Sequence, residues 1–334
     1  ARAHLATAMP VQTPHPDRNL VIDRAGEDYV YGVFHKTLQH NEFGEVKKSD
    51  FDLLVKAMDS GAQVDFDNLP VDVATTRKLV NPQAALSFPI AGQDNQSINL
   101  GPHPSITSEE AASEMMEVYE MAMHRNVTFS AIELGLNAET IRAISTFNAY
   151  GANFTGPKVG GVVTSKSVFR GNGQDELEGP YVSQLLLLPF DYGNIPVVQT
   201  IREETDQANS TDVTGWLNIQ SGMQNNPPNF SGNIRYIYNP RMLGSYVHND
   251  ALFQPYYNGC QILMQNGATF DPNIPVLDNE GLFVGLGPAD LLASVTAVSK
   301  LALQTAWHHK WAVNLRLRPE VMAGRIHFQE AGEV

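Results

Sequence analysis

The feature that most constrains this chain lies near its end. From Pro288 onward, apolar residues at Leu291, Val295, Val298, Ala302 and Ala306 recur at helical intervals until Pro319 forbids continuation. The spacing predicts one helix of roughly 30 residues, about 45 Å long at 1.5 Å per residue and able to cross a whole domain. Pro288 suits its first turn, and Asp290 favours the same end of the helix dipole. Such a helix is a structural axis.

The rest of the chain is read around that axis. Its 334 residues, 43% apolar and 17% charged, suit a soluble globular protein with a sizeable core. The longest apolar run, Val182 to Phe190, is far short of the roughly 20 residues that span a bilayer. The single cysteine, Cys260, excludes an intrachain disulfide and says little about compartment, although an extracytoplasmic setting is favoured. Asn-x-Ser/Thr sequons at Asn95, Asn126, Asn153, Asn209 and Asn229 are within what an Asn-rich chain yields by chance.

Four stretches are distinguished. Residues 1–105 are loop-rich, with a helical patch from Ser49 to Gly61. Residues 106–151 hold two helices, one opened by a Thr107/Glu110 capping-box spacing with a core stripe of Met115, Val118, Tyr119 and Ala122, the other ending at Gly151. Residues 152–242 are Gly, Pro, Asn and Ser-rich, an irregular connection with a short hairpin. Residues 243–319 carry a helix pair interrupted at Pro255 and stopped at Gly267, then the long helix.

Charge singles out the last stretch. The net charge of −14 disfavours nucleic acid and anionic membrane as partners. Yet Lys300, Lys310, Arg316, Arg318 and Arg325 gather around a single acid, Glu320. On charge alone this is an ordinary solvated basic helix face. On a continuous helix, however, Lys310 and Arg318 lie about 80° apart and about 12 Å along the axis, so that two long side chains converge on a small ion. Trp307 falls within about 20° of Arg318, and Arg316 turns away toward solvent or a neighbouring helix. Two inward cations beside an indole are costly without a compensating anion, and an oxyanion is the simplest candidate.

"KWAVNLRLRPE" with "MAGRI" resembles the first of three active-site motifs of the vanadium-dependent haloperoxidases of the algal bromoperoxidase type, in which a Lys is followed eight residues later by Arg-Pro. "VFHKTLQHNEFGEV", "EGPYVSQLLL" and "YVHNDALFQPYYNGCQILMQNGATFDPNIP" resemble the same family in the same order. The resemblance implies a mainly α fold, a helix bundle shared with acid phosphatases of the superfamily, with few short strands. It implies vanadate as cofactor, with Lys310 and Arg318 on its oxygens. Trp307 stands where brown-algal relatives line the halide pocket. The implied reaction is oxidation of bromide or iodide by hydrogen peroxide to a hypohalous equivalent that halogenates organic substrates, the metal acting as a Lewis acid.

The family's second motif, Pro-Ser-Gly-His, and third, Ser-Arg followed by His, occur nowhere in these 334 residues. The vanadium-ligating His is therefore expected outside this chain, on a C-terminal half that is either the remainder of a truncated chain, the other product of a nicked one, or a separate subunit. A homo-oligomer is expected, as in relatives. His309 is assigned a supporting or surface role beside Lys310. Asp278 and Glu280 sit where red-algal relatives carry a longer calcium-binding loop; a solvated acidic turn is the better reading there. An acid phosphatase and a non-catalytic subunit remain the alternative functions.

Overall fold

The computed structural model describes residues 12–72, 77–90, 92–173, 175–205, 208, 210–223, 227–269, 271, 273 and 279–333. In chain order the strands and α-helices are β1 (Val21–Arg24), β2 (Glu27–Val30), β3 (Val46–Lys47), α1 (Lys48–Ser60), α2 (Gln63–Asp67), α3 (Glu109–Met123), α4 (Phe129–Leu134), α5 (Ala138–Tyr150), β4 (Phe190–Tyr192), β5 (Ile195–Val197), β6 (Ile201–Glu204), α6 (Val213–Gln220), β7 (Phe230–Arg235), α7 (Pro240–Asn249), α8 (Gln254–Gln265), α9 (Pro288–His308) and α10 (Pro319–Glu330). Helix predominates and the strands are short, as the sequence implied.

The chain divides into two compact units, with the division falling inside α3 and α9. One unit comprises residues 1–115, 208–227 and 301–334. Its antiparallel sheet, in the order β1-β2-β3, turns between β1 and β2 through Ala25 and Gly26, both at positive φ, as a two-residue hairpin requires. Helix α1 buries Phe51, Leu54, Ala57 and Met58 at helical spacing and stops at Gly61, whose φ of 65° only glycine adopts freely. These side chains pack with Val30, Val33, Phe34, Leu38, Trp311 and Leu315 in one core. Burying a side chain of the size of Phe51 contributes roughly 1.5–3 kcal/mol.

The second unit holds residues 116–207 and 228–300. Asn137 accepts a hydrogen bond from the Thr140 N–H and so caps α5, which ends at Gly151. Phe147 stacks on Phe154 in a core with Ile132 and Val163. Within the stretch read as irregular, β4 pairs with β5 and β6 with β7, so two small sheets replace the single hairpin expected. Helices α7 and α8 realise the helix pair, with Pro255 in the first turn of α8 and Gly267 at positive φ beyond its end.

Three expectations are corrected. Ser108, not Thr107, caps α3, its hydroxyl accepting from the Ala111 N–H. Of the stripe on that helix only Met115 is buried, whereas Val118, Tyr119 and Ala122 are exposed. The long helix does not reach Pro319: α9 ends at His308, and Thr305 is its only buried residue.

Candidate functional site

The chain after α9 loosens into a π-helical turn, His309–Asn314, closed by the Leu315 N–H donating to the Lys310 carbonyl five residues back. Leu315 is buried and stands at φ 45°, a left-handed conformation unusual for a branched side chain. Such a turn leaves carbonyls without helical partners, and the beginning of the chain satisfies them. The His15 N–H donates to Val313 O, Arg18 Nη2 to Ala312 O, and the Phe34 N–H to Leu315 O at 2.7 Å. Val33 bridges Arg316 in antiparallel fashion. The residues from His309 to Arg316 are thus held by the loop-rich start rather than by continuation of a helix.

This overturns the helical-face geometry by which Lys310 and Arg318 were expected to meet. Arg318 lies in an extended connection before Pro319 at the head of α10, and about half of its side chain is exposed, so it does not face inward as expected. Arg318 still lies near enough to Lys310 for its charge to act there. Burial lowers the Lys310 pKa below the ordinary lysine value, and the positive charges of Arg318 and then Lys36 lower it further. Among the described residues Lys310 pairs with no carboxylate. Its ammonium instead lies 4.6 Å from the ring centre of Trp307, 5.1 Å from Phe34 and 5.2 Å from Trp311.

Glu320, in the first turn of α10, completes the cluster. Its Oε1 accepts from Arg318 Nε and lies 3.4 Å from Lys36 Nζ. Burial alone would raise its pKa, but Arg318 and Lys36 hold the carboxyl below its ordinary value. The head of α10 is fixed by Trp216, whose Nε1–H donates to the Glu320 carbonyl at 2.7 Å. The Trp216 indole lies against Gly44 and Gly324, where an added Cβ would overlap it.

Of the other residues singled out from the sequence, Trp307 lies against Lys310, while Arg316 and His309 make their contacts elsewhere. Arg316 pairs with Glu114 at the surface, in keeping with its expected outward direction. His309 is buried, with Nε2 2.9 Å from the Ile98 carbonyl, and His308 points to the Ala85 carbonyl. Trp307 donates from Nε1 to the Asn81 carbonyl, which fixes its ring beside Lys310. Asp278 lies outside the described residues, and Glu280 is exposed. Lys36, Phe34 and Glu320 are the members that sequence reasoning missed. Lys36 and Phe34 lie within "VFHKTLQHNEFGEV", one of the segments that carried the resemblance, and Glu320 directly follows the Arg-Pro pair.

No protein-family model matches the sequence. Curated relatives do. The vanadium-dependent bromoperoxidases of Corallina pilulifera and Corallina officinalis are each 31% identical over an alignment of 358 positions that covers 88% of this chain. That of Ascophyllum nodosum is 29% identical over an alignment of 325 positions that covers 92% of this chain. The chain is a homologue of the vanadium-dependent bromoperoxidases. The solved homohexameric structure of the second vanadate-dependent bromoperoxidase of Ascophyllum nodosum matches 98% of this chain with a TM-score of 0.84 at 26% identity. The chain spans 60% of the length of the two Corallina relatives and 55% of that solved chain.

Proposed function

We propose that this chain carries the first vanadate-binding segment of a vanadium-dependent haloperoxidase that oxidises bromide or iodide with hydrogen peroxide. The observation that carries the reading is Lys310. A half-buried ammonium in an aromatic pocket, beside two further cations and without a carboxylate of its own among the described residues, is an unfavourable arrangement that a small oxyanion relieves. The donor set fits vanadate: the Lys310 ammonium offers point-charge donors and the Arg318 guanidinium a planar fork.

Bound vanadate supplies Lewis-acid activation of hydrogen peroxide without changing oxidation state. Lys310 and Arg318 bind and orient its oxygens and stabilise negative charge there. Trp307 and Phe34 keep water from one side of the Lys310 ammonium, which strengthens its field at the anion. Trp307 also forms the wall facing the halide. We take these residues as the N-terminal part of a larger helical domain. The metal-bonding His and the acid-base His come from outside these 334 residues, on the same polypeptide or a partner, and the particle is a homo-oligomer.

The test is bromination of monochlorodimedone by the complete assembly. Bromide-dependent and vanadate-dependent turnover that Lys310→Ala abolishes supports the reading. Vanadate-inhibited hydrolysis of p-nitrophenyl phosphate without bromination would replace it with a phosphatase.

A further inference from the structure

The described residues place a third cation at this site. Lys36 Nζ sits with only 18% of its side chain exposed, and Glu320 is the carboxylate paired with it. Their separation of 3.4 Å is long for a charge-assisted hydrogen bond, which closes to about 2.7–2.9 Å when fully formed. The Glu320 oxygen nearest Lys36 is the one that Arg318 Nε also holds. One carboxylate therefore serves two cations, while a third, Lys310, stands close enough to both for its proton affinity to fall. Arg77 adds a further positive charge within range of Lys36.

The Lys36 backbone is fixed on both sides. Two residues before it, the Phe34 N–H is bonded to Leu315 O, and one residue after it, the Thr37 N–H donates to Gln220 O at 2.8 Å. Thr37 itself stands at φ 83°, a conformation that a β-branched residue adopts only when its surroundings impose it. The turn that costs this strain directs Lys36 toward the head of α10.

Accepting the oxyanion site proposed above, we infer that Lys36 is a third cation of that site, and that Glu320 is the internal counter-ion holding Lys36 and Arg318 until the oxyanion arrives. Among the described residues, Lys36, Arg318 and Lys310 outnumber Glu320, the one carboxylate paired with any of them, which leaves an excess that an incoming oxyanion neutralises. Glu320 then gives up part of its hold on both cations. Lys36 is a binding and positioning residue here, and Glu320 a competitor for the charge the anion needs.

Orthovanadate titration of the metal-free complete assembly, followed by calorimetry, tests this with five proteins. Relative to wild type, Lys36→Gln is expected to weaken vanadate binding about 10-fold, and Lys36→Arg to stay within about threefold, since it keeps the charge. Glu320→Gln is expected to bind vanadate severalfold more tightly. Lys310→Ala serves as the reference, and thermal melting of each variant confirms that it is folded. Unchanged affinity in Lys36→Gln, with affinity lost in Lys310→Ala, overturns the role of Lys36 and leaves the proposed function standing. Loss in neither variant overturns both. A Lys36→Arg variant as weak as Lys36→Gln shows a packing role in place of a charge role, and weaker binding in Glu320→Gln removes the counter-ion.

Discussion

At the scale of single residues, the account rests on which cations lack a carboxylate. Among the described residues Lys310 pairs with no carboxylate, Arg318 and Lys36 share Glu320, and Arg316 has Glu114. Lys310→Ala and Arg318→Ala are expected to weaken vanadate binding by about 10-fold to 100-fold, as loss of a charged hydrogen bond of roughly 1.5–3 kcal/mol implies. Arg316→Ala should stay within about threefold, because Arg316 pairs with Glu114 and is not among the charges that lower the Lys310 pKa; equal losses in all three variants would contradict the geometry. A second residue-level expectation concerns His35 and His40. His40 Nδ1 donates to the Leu38 carbonyl at 2.6 Å, so its Nε2 accepts from His35 Nδ1 at 3.0 Å, and both rings are held neutral. Burial pushes His40 down to about 4 and His35 well below its ordinary value. Between the unfolded pKa of 6.5 and about 4, the unfolded chain binds the proton that folded His40 refuses. Stability therefore falls as pH drops through that window, by up to about 3 kcal/mol from His40 alone. Urea unfolding of wild type and His40→Gln from pH 7 to pH 4 should show a flatter dependence in the variant. The surplus of positive charge around Lys310 and Arg318 was legible in the sequence, whereas the unbroken helix expected to bring the two together is not what forms. Lys36 was not legible, because it meets Glu320 across 284 positions and no local periodicity reports such a contact.

At the scale of elements, the sequence revealed helices through the glycines that end them, but it did not reveal α4 or α6, which Thr128 and Asp212 cap. Gly61, Gly151 and Gly267 all act as stops where expected. The break at His309–Leu315 was hidden, because the apolar pattern runs on through it and its cause is distant. The carbonyls it frees are taken up by His15, Arg18 and Phe34 from the other end of the chain. Local propensity thus gives way to tertiary hydrogen bonds, and it does so beside the site. The head of α10 depends in turn on the fit of Trp216 between Gly44 and Gly324. Gly324→Ala forces the indole aside, and we expect it to cost about 1–3 kcal/mol of stability. Because Trp216 also holds the Glu320 carbonyl, the variant should lose vanadate affinity as well, measured by thermal melting and titration of one preparation. Destabilisation with unchanged affinity would separate α10 from the site.

At the scale of the whole molecule, the apolar surface that stays uncovered carries the argument. Val118, Tyr119, Met121 and Met123 on α3 and Val298 on α9 are exposed, and α9 buries Thr305 alone. The sequence showed that these helices are apolar, but not what covers them, since periodicity reports a face and never its partner. Surface of this kind on a soluble protein marks an interface. Residues 1–334 expressed alone are therefore expected to aggregate or bind hydrophobic dyes, and the assembly proposed above is expected to be stable. Light scattering after size exclusion checks this, and a monodisperse 36.7 kDa monomer with full haloperoxidase activity would contradict it. The central claim, that Lys310 and Arg318 hold vanadate, is tested most directly by locating the metal through anomalous scattering at the vanadium absorption edge in crystals of the vanadate-loaded assembly. The account predicts a vanadium peak whose surrounding oxygens lie within hydrogen-bond distance of Lys310 Nζ and the Arg318 guanidinium, with Trp307 at its edge. A vanadium peak remote from both side chains, in an assembly that brominates, would contradict it.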